Sequence, residues 1–316
     1  YQILFMDSVP DYAAVNECAE MASVVCRPQK GFVNAVLRNL IRKKDTLKQP
    51  ESEKDTVRAL SARYSADPWI VRLWIRQRGE EEAKAILRAQ EDAPPLCITV
   101  NTRKTDAQTL KNALEKKNFT IQSADVRGLS DALPVLAVKG SGLMDADEFC
   151  DGLFYVQDPA SAAAVSVLAP QPGNMVIDVC GAPGGKSMAA AIMMNDQGKI
   201  LTFDYYSQKL SLIRSQAKRL GLSCIEAAQR DALSEPGSLK EQADAVICDV
   251  PCTGLGVLRR KPEIRFRKLE DDGKELAKKQ IAILNASSEL VKPGGRIMYS
   301  TCTINRIENE EVIEAF

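Results

Sequence analysis

The sequence predicts an α/β protein: a doubly wound parallel sheet, preceded by a small α+β layer and by the end of a helical module. Three observations predict it. From Asp158 onward, short apolar runs alternate with helix-length amphipathic stretches, the pattern of strand–helix–strand units. The glycine-rich stretch Asp178-Val179-Cys180-Gly181-Ala182-Pro183-Gly184-Gly185-Lys186-Ser187 joins the first of those strands to a helix, as ligand-binding turns do in open α/β sheets. Two later strands end in reactive residues: Ala245-Val246-Ile247-Cys248 runs into Asp249-Val250-Pro251-Cys252, and Arg296-Ile297-Met298-Tyr299 into Ser300-Thr301-Cys302.

Composition sets the bounds. The 316 residues are enough for two or three domains with a sizeable core. Hydrophobic residues at 45% and charged residues at 27% are globular proportions, and no apolar run reaches the roughly 18 residues of a membrane span, so a soluble, cytoplasmic protein is expected. Nine cysteines without regular spacing fit reduced thiols rather than a disulfide framework, and metal binding would want tighter ligand spacing. The chain begins at Tyr1 inside a helical pattern and stops at Phe316 in another, so it is expected to be truncated at both ends, with closing strands missing.

Net charge is zero, which by itself gives no support for a nucleic-acid partner. Basic residues nevertheless cluster at Lys30, Arg38, Arg42, Lys43, Lys44 and Lys48, and again in Arg259-Arg260-Lys261-Pro262-Glu263-Ile264-Arg265-Phe266-Arg267-Lys268. Such runs are commonly solvated helix faces. The absence of histidine constrains mechanism, because any proton transfer must then use carboxylates, lysine, tyrosine, thiols or water.

In chain order, the first module covers 1–50, with Phe32, Val33, Val36, Leu37, Leu40 and Ile41 at helical spacing; Lys43 to Glu53, with Pro50, reads as a linker. Connecting helices occupy 51–90. Asp67-Pro68 starts one through Trp69, Ile70, Leu73, Trp74 and Ile75 that stops before Gly79, its tryptophans expected to pack, and a shorter one runs through Ala83, Ile86 and Leu87. A small α+β domain covers 91–157. It holds strands at Leu96–Asn101, Phe119–Ile121 and Leu136–Val138, and a helix through Leu110 and Leu114 with Thr105 and Gln108 as its capping box. The doubly wound domain fills 158–316, with strands at Met175–Asp178, Ile200–Phe203, Cys224-Ile225, Ala245–Cys248 and Arg296–Tyr299. Its helices are expected at Gly185–Met194, at Ser207–Leu220 ended by Gly221, and at Glu275–Val291.

The glycine-rich turn admits several ligands in principle. A phosphate-binding P-loop needs glycine where Cys180 stands and would carry Pro183 inside its loop, and Gly-x-Gly-x-x-Gly cannot be laid on Gly181, Gly184 and Gly185. An adenosyl ligand without a polyphosphate remains. Asp204, at the end of the second strand, then suits the ribose hydroxyls, and Asp231, beyond the third, could address the adenine amino group. Cys302 follows a strand and precedes a helix starting near Asn305, whose N-terminus is expected to stabilise its thiolate; Cys252 has a similar setting. Two strand-end cysteines beside an acid form a nucleophile and its partner.

At these residues the chain resembles the Sun-type RNA (cytosine-5) methyltransferases. The resemblance rests on Asp178-x-Cys-Gly-Ala-Pro-Gly-Gly-Lys186, Asp249-x-Pro-Cys252 with Thr253-Gly254, Arg259-Arg260-Lys261-Pro262 and Ser300-Thr301-Cys302. Lys30-Gly31-Phe32-Val33-Asn34-Ala35-Val36-Leu37-Arg38 looks like the end of the NusB-like domain of bacterial members that methylate 16S ribosomal RNA. The middle domain is similar to their RNA-recognition-like domain, and Gln157-Asp158-Pro159-Ala160-Ser161 resembles the entry to their catalytic domain.

The resemblance implies a Rossmann-like fold and S-adenosylmethionine as methyl donor, held by Cys180, Gly181, Ala182, Pro183, Gly184, Gly185, Lys186, Asp204, Asp231 and Asp249. It implies that Cys302 attacks C6 of the cytosine, that Asp249 hydrogen-bonds the base edge, that Cys252 assists product release, and that Arg259, Arg260 and Lys261 bind RNA. The target base must be unpaired or flipped out. No metal is implied, and a monomer acting on 16S ribosomal RNA is expected. The sequence departs from the family where Gly181 replaces a common alanine, an exchange expected to be harmless in a tight turn, and where Tyr205-Tyr206 follow Asp204. Other readings are the same chemistry on transfer RNA, a non-catalytic RNA-binding assembly factor, and a P-loop NTPase that binds ATP.

Overall fold

The computed structural model describes residues 1–47, 55–124, 126–267 and 270–316, so Lys48, Lys268 and the linker stretch 48–54 lie outside the described residues. Its contacts divide the chain into two compact units, Tyr1–Val71 and Arg72–Phe316. In the first unit, helix Lys30–Lys43 packs the partly buried Leu37, Leu40 and Ile41 against the buried Ile3, Ala14 and Val15, the last two on helix Asp11–Val25. Lys30 pairs with Glu20 at 2.7 Å, and Phe32 stays exposed.

The second unit contains two sheets. Strands β1 (Leu96–Val100), β2 (Thr120–Ser123), β3 (Val135–Lys139) and β4 (Phe154–Val156) form an antiparallel sheet of order β2-β3-β1-β4. β4 is too short to carry a readable alternation and was not expected. Helix Ala107–Glu115 packs Leu110 and Leu114 onto this sheet. Its cap is Asp106 rather than Thr105, because the Asp106 carboxylate accepts from both the backbone N–H and the hydroxyl of Thr109, at 2.8 and 2.6 Å. Trp74, in helix Pro68–Arg78, is fully buried, as a packing residue should be.

The larger sheet comprises β5 (Met175–Asp178), β6 (Lys199–Asp204), β7 (Ile225–Gln229), β8 (Ala243–Asp249) and β9 (Val291–Ser300), all parallel, in the order β7-β6-β5-β8-β9. Val176, Ile177, Val246 and Ile247 are wholly buried, which is why these strands read as unbroken apolar runs. Helices Pro159–Leu168, Gly185–Met193 and Leu210–Leu220 cover one face, and Asp272–Ser288 the other. Gly221, at φ +72°, ends helix Leu210–Leu220 as its position predicts. Cys97, Val135 and Tyr155 of the small sheet share a core with Met188 and Leu220, so the two sheets are packed together. The chain order reverses between β5 and β8, and the loops leaving their carboxyl ends open side by side, where such sheets bind ligands. Among the described residues no helix is long and apolar enough to cross a membrane.

Candidate active site

The loop after β5 takes its shape from its own glycines. Gly184, at φ +107°, turns the chain into helix Gly185–Met193, which starts without a side-chain cap, leaving its first N–H groups for a ligand. Gly181 lies against its neighbours: a Cβ there would stand 2.3 Å from Thr202 Cγ2 and 3.0 Å from the Asp178 carboxyl. Glycine thus sits here without strain, whereas alanine would crowd the branched Thr202 that β6 carries directly beneath the loop. The Thr202 hydroxyl donates to Ser187 Oγ at 2.8 Å, and Ser187 donates to Asp178 Oδ2 at 2.6 Å. Burial pushes the Asp178 carboxyl up to about 7, against the pull of the Ser187 hydrogen bond. Its Oδ1 is buried without a partner among the described residues.

Lys186 and Asp249 meet across the switch point. Lys186 Nζ lies 2.7 Å from Asp249 Oδ2, while Ser300 Oγ donates to Asp249 Oδ1 at 2.7 Å. The strand-end acid is thus gripped from the glycine-rich loop on one side and from β9 on the other. Two adjoining clefts share this pair, of about 520 Å³ on the side of Cys180–Lys186 and about 320 Å³ on the side of Ser300–Ile304. Asp158, Ser161, Val257 and Cys302 line both.

The two cysteines come together although 50 residues separate them. Cys252 Sγ and Cys302 Sγ are 3.1 Å apart, and the Cys302 backbone N–H donates to Cys252 Sγ at 3.2 Å. The hydrogen bond with Cys252 pushes the Cys302 thiol down to about 7, with Lys261 and Lys186 contributing and burial and the Asp249 charge opposing. The Cys252 thiol is raised, first because it holds the proton in that same hydrogen bond and second by burial. The expected helix N-terminus is not the source. The turn after Cys302 is a single 3₁₀ turn, Arg306–Glu308, and its N–H at Ile307 is capped by the Asn305 side chain.

Other expected residues lie differently. Asp204 is buried and already accepts from the N–H groups of Ala182 (3.3 Å) and Tyr206 (2.9 Å), with Lys209 at 3.8 Å. It lies under the glycine-rich loop rather than in the lining of the large cleft. Asp231 is exposed, closes its own turn by accepting from the Leu233 N–H at 3.0 Å, and lines neither cleft. Arg259 and Arg260 are engaged by the chain itself. Arg259 donates to Asp92 O at 3.0 Å; Arg260 pairs with Asp158 at 3.0 Å and donates to Pro95 O at 3.2 Å. They bind the small sheet's entry segment to the larger sheet. Arg260 and Lys261 also line the large cleft.

Sequence reasoning passed over Asp178 as a buried acid, Ser300 as the partner of Asp249, and Gln157. The Gln157 amide donates to Gly185 O at 2.9 Å, while its Oε1 accepts from the hydroxyls of Thr99 and Tyr155 at 2.8 Å each. Asp178 and Ser300 end strand-like runs, where strand alternation could have marked them; Gln157 gives no such signal, since Thr99 and Gly185, which help hold it, lie 58 and 28 residues away.

Three family models match the chain: 16S rRNA methyltransferase RsmB/F over residues 165–316, the NusB family over 1–42, and an RsmF/B-like ferredoxin-like domain over 67–134. The probable ribosomal RNA small subunit methyltransferase B of Bacillus subtilis is 36% identical over all of this chain and 70% of its own length. The ribosomal RNA small subunit methyltransferase B of Klebsiella pneumoniae is 32% identical, with the same shares covered. Among solved structures, a methyltransferase homologue from Pyrococcus horikoshii superposes with a TM-score of 0.71 at 31% identity, covering 83% of this chain and 82% of that one.

Proposed function

The chain belongs to the 16S rRNA methyltransferase RsmB/F family, and on that premise we propose that it methylates C5 of a cytosine in 16S ribosomal RNA through a covalent Cys302 adduct. The observation that carries this reading is the pair of thiols 3.1 Å apart beside Asp249, with Cys302 the more acidic. Cytosine C5 is a poor nucleophile, and addition of a thiolate to C6 is what activates it.

The large cleft fits S-adenosylmethionine. The unpartnered, buried Asp178 Oδ1 suits the methionyl ammonium, the uncapped start of helix Gly185–Met193 suits its carboxylate, and Gly181 and Gly184 keep side chains out of the loop. Cys180, Ala182, Pro183, Gly185 and Lys186 form its wall, with Asp204 beneath. When bound, the cofactor supplies an electrophilic methyl group. Asp231, exposed beyond β7, is proposed as the adenine contact on the family resemblance alone.

The smaller cleft then takes the flipped base. The Cys302 thiolate bonds to C6; Asp249 accepts from the base edge, and the neighbouring Lys186 ammonium offsets negative charge building on the ring. After the methyl group joins C5, the C5 proton passes to water, a thiolate or a carboxylate, since the chain has no histidine, and its electron pair restores the C5–C6 double bond as the S–C6 bond breaks to release the Cys302 thiolate. The Cys252 thiol, already hydrogen-bonded to Cys302, stabilises the departing thiolate, so one contact serves attack and release. Residues 1–50 and 91–157 bind and orient the RNA, with Lys261 at the cleft and Arg259 and Arg260 bracing the small domain; 51–90 connects them, and 158–316 performs catalysis in the cytoplasm. Incubation with labelled S-adenosylmethionine and deproteinised 16S RNA, followed by mapping of the modified base, tests this: label at cytosine C5 is expected, and label on another atom or none refutes it.

A further inference from the structure

Glu308 is fully buried in the 3₁₀ turn beyond Cys302, and its carboxylate reaches both cysteine loops. One oxygen accepts from the Thr253 N–H at 2.8 Å and from Gln280 Nε2 at 3.2 Å. The other accepts from the Thr253 hydroxyl and, at 3.2 Å, from Asn305 Nδ2. Thr253 directly follows Cys252. Its hydroxyl lies 2.9 Å from that of Thr303, which directly follows Cys302. Gln280 also donates to Pro251 O at 2.8 Å, on the other side of Cys252. The Tyr299 hydroxyl donates to the Glu308 carbonyl at 2.7 Å, anchoring the turn itself to β9.

We propose that Glu308 is a positioning residue: its carboxylate ties the Cys252 and Cys302 loops together and sets the sulfur–sulfur distance on which the attacking thiol depends. The proposal rests on the reading of Cys302 as nucleophile. Four donors converge on two oxygens, a demand only a carboxylate meets. An amide of the same shape would turn an N–H₂ group against one pair of donors, leaving buried polar groups opposed. The carboxylate touches neither substrate nor cleft, and it acts through the loops.

The test is Glu308→Gln in the full chain. Iodoacetamide labelling of Cys302, scored by mass spectrometry of its peptide, is followed across pH in the free protein, beside kcat and KM for methyl transfer. The Cys302 labelling midpoint should rise from about 7 toward the ordinary thiol value of about 8.5. In parallel, kcat should fall about 10- to 100-fold while KM for S-adenosylmethionine stays within about threefold. A merely structural role lowers the melting temperature and leaves the midpoint alone. If Glu308→Gln does not fold, Thr253→Val, which keeps the shape and removes one donor, should move the midpoint the same way by less. An unchanged midpoint in the folded Gln variant, or in Thr253→Val where only that one folds, overturns the proposal. Full activity in Cys302→Ser would instead overturn the nucleophile assignment, while the labelling midpoint would still report on Glu308.

Discussion

The two loop systems that close on the candidate site are built in opposite ways. The loop after β5 is held locally: its turn comes from Gly184, and its floor from Ser187 and from Thr202 on the adjacent strand. The cysteine loops after β8 and β9 are held from a distance, with the Thr253 N–H bound by a carboxylate 55 residues along the chain. A ligand that must be approached closely by backbone calls for glycines in sequence order. A pair of thiols that must share a proton calls for a buried network that no short motif can contain.

Removing chemistry from the cysteine side should have the largest effect. Cys302→Ser is expected to lower methyl transfer by about a thousandfold or more while S-adenosylmethionine binding stays within a few-fold, as measured by single-turnover kinetics and equilibrium dialysis. The local loop should respond to volume instead. Gly181→Ala should cost about 1–3 kcal/mol through overpacking against Thr202 Cγ2, read as a lower melting temperature and weaker cofactor binding. Adding Thr202→Ser removes that methyl while keeping the hydroxyl on Ser187, so the double variant should regain most of the loss; equal loss in single and double variants would refute the close packing.

How much could be read in advance follows the same division. The parallel sheet, the turn at Gly181–Lys186 and the strand-end residues Asp249 and Cys302 were legible because each is written in contiguous residues: apolar runs, glycines, a strand terminus. Asp249 as the shared partner of Lys186 and Ser300 was not, nor was Glu308, because those contacts depend on β5, β8 and β9 lying side by side. The run Arg259-Arg260-Lys261 shows the converse. Its charge was plain, but the two arginines are taken up by Asp158 and by carbonyls of 92–95, partners that only the packing of the small sheet reveals.

Two smaller effects sharpen the contrast. Because attack requires the thiolate, the rate should fall about tenfold per pH unit below about 7, where Cys302 titrates. Cys252→Ala removes the main cause of that low value, so the acid limb should move to higher pH; an unmoved limb would assign the group to another residue. Arg260→Ala should cost about 1 kcal/mol of stability, since its pairing is partly exposed, and should leave the slope of RNA affinity against salt unchanged. A flattened slope would return Arg260 to direct contact with phosphate. Lys261→Ala should flatten it.

The covalent step is tested most directly with the Cys252→Ala variant, incubated with 16S RNA and S-adenosylmethionine and run on a denaturing gel, with the linked peptide then mapped. The account predicts a slow-moving protein–RNA band attached through Cys302, because attack and methylation proceed while release loses its supporting thiol. A band that survives replacement of Cys302 by serine in the same variant, or no band at all, would contradict it.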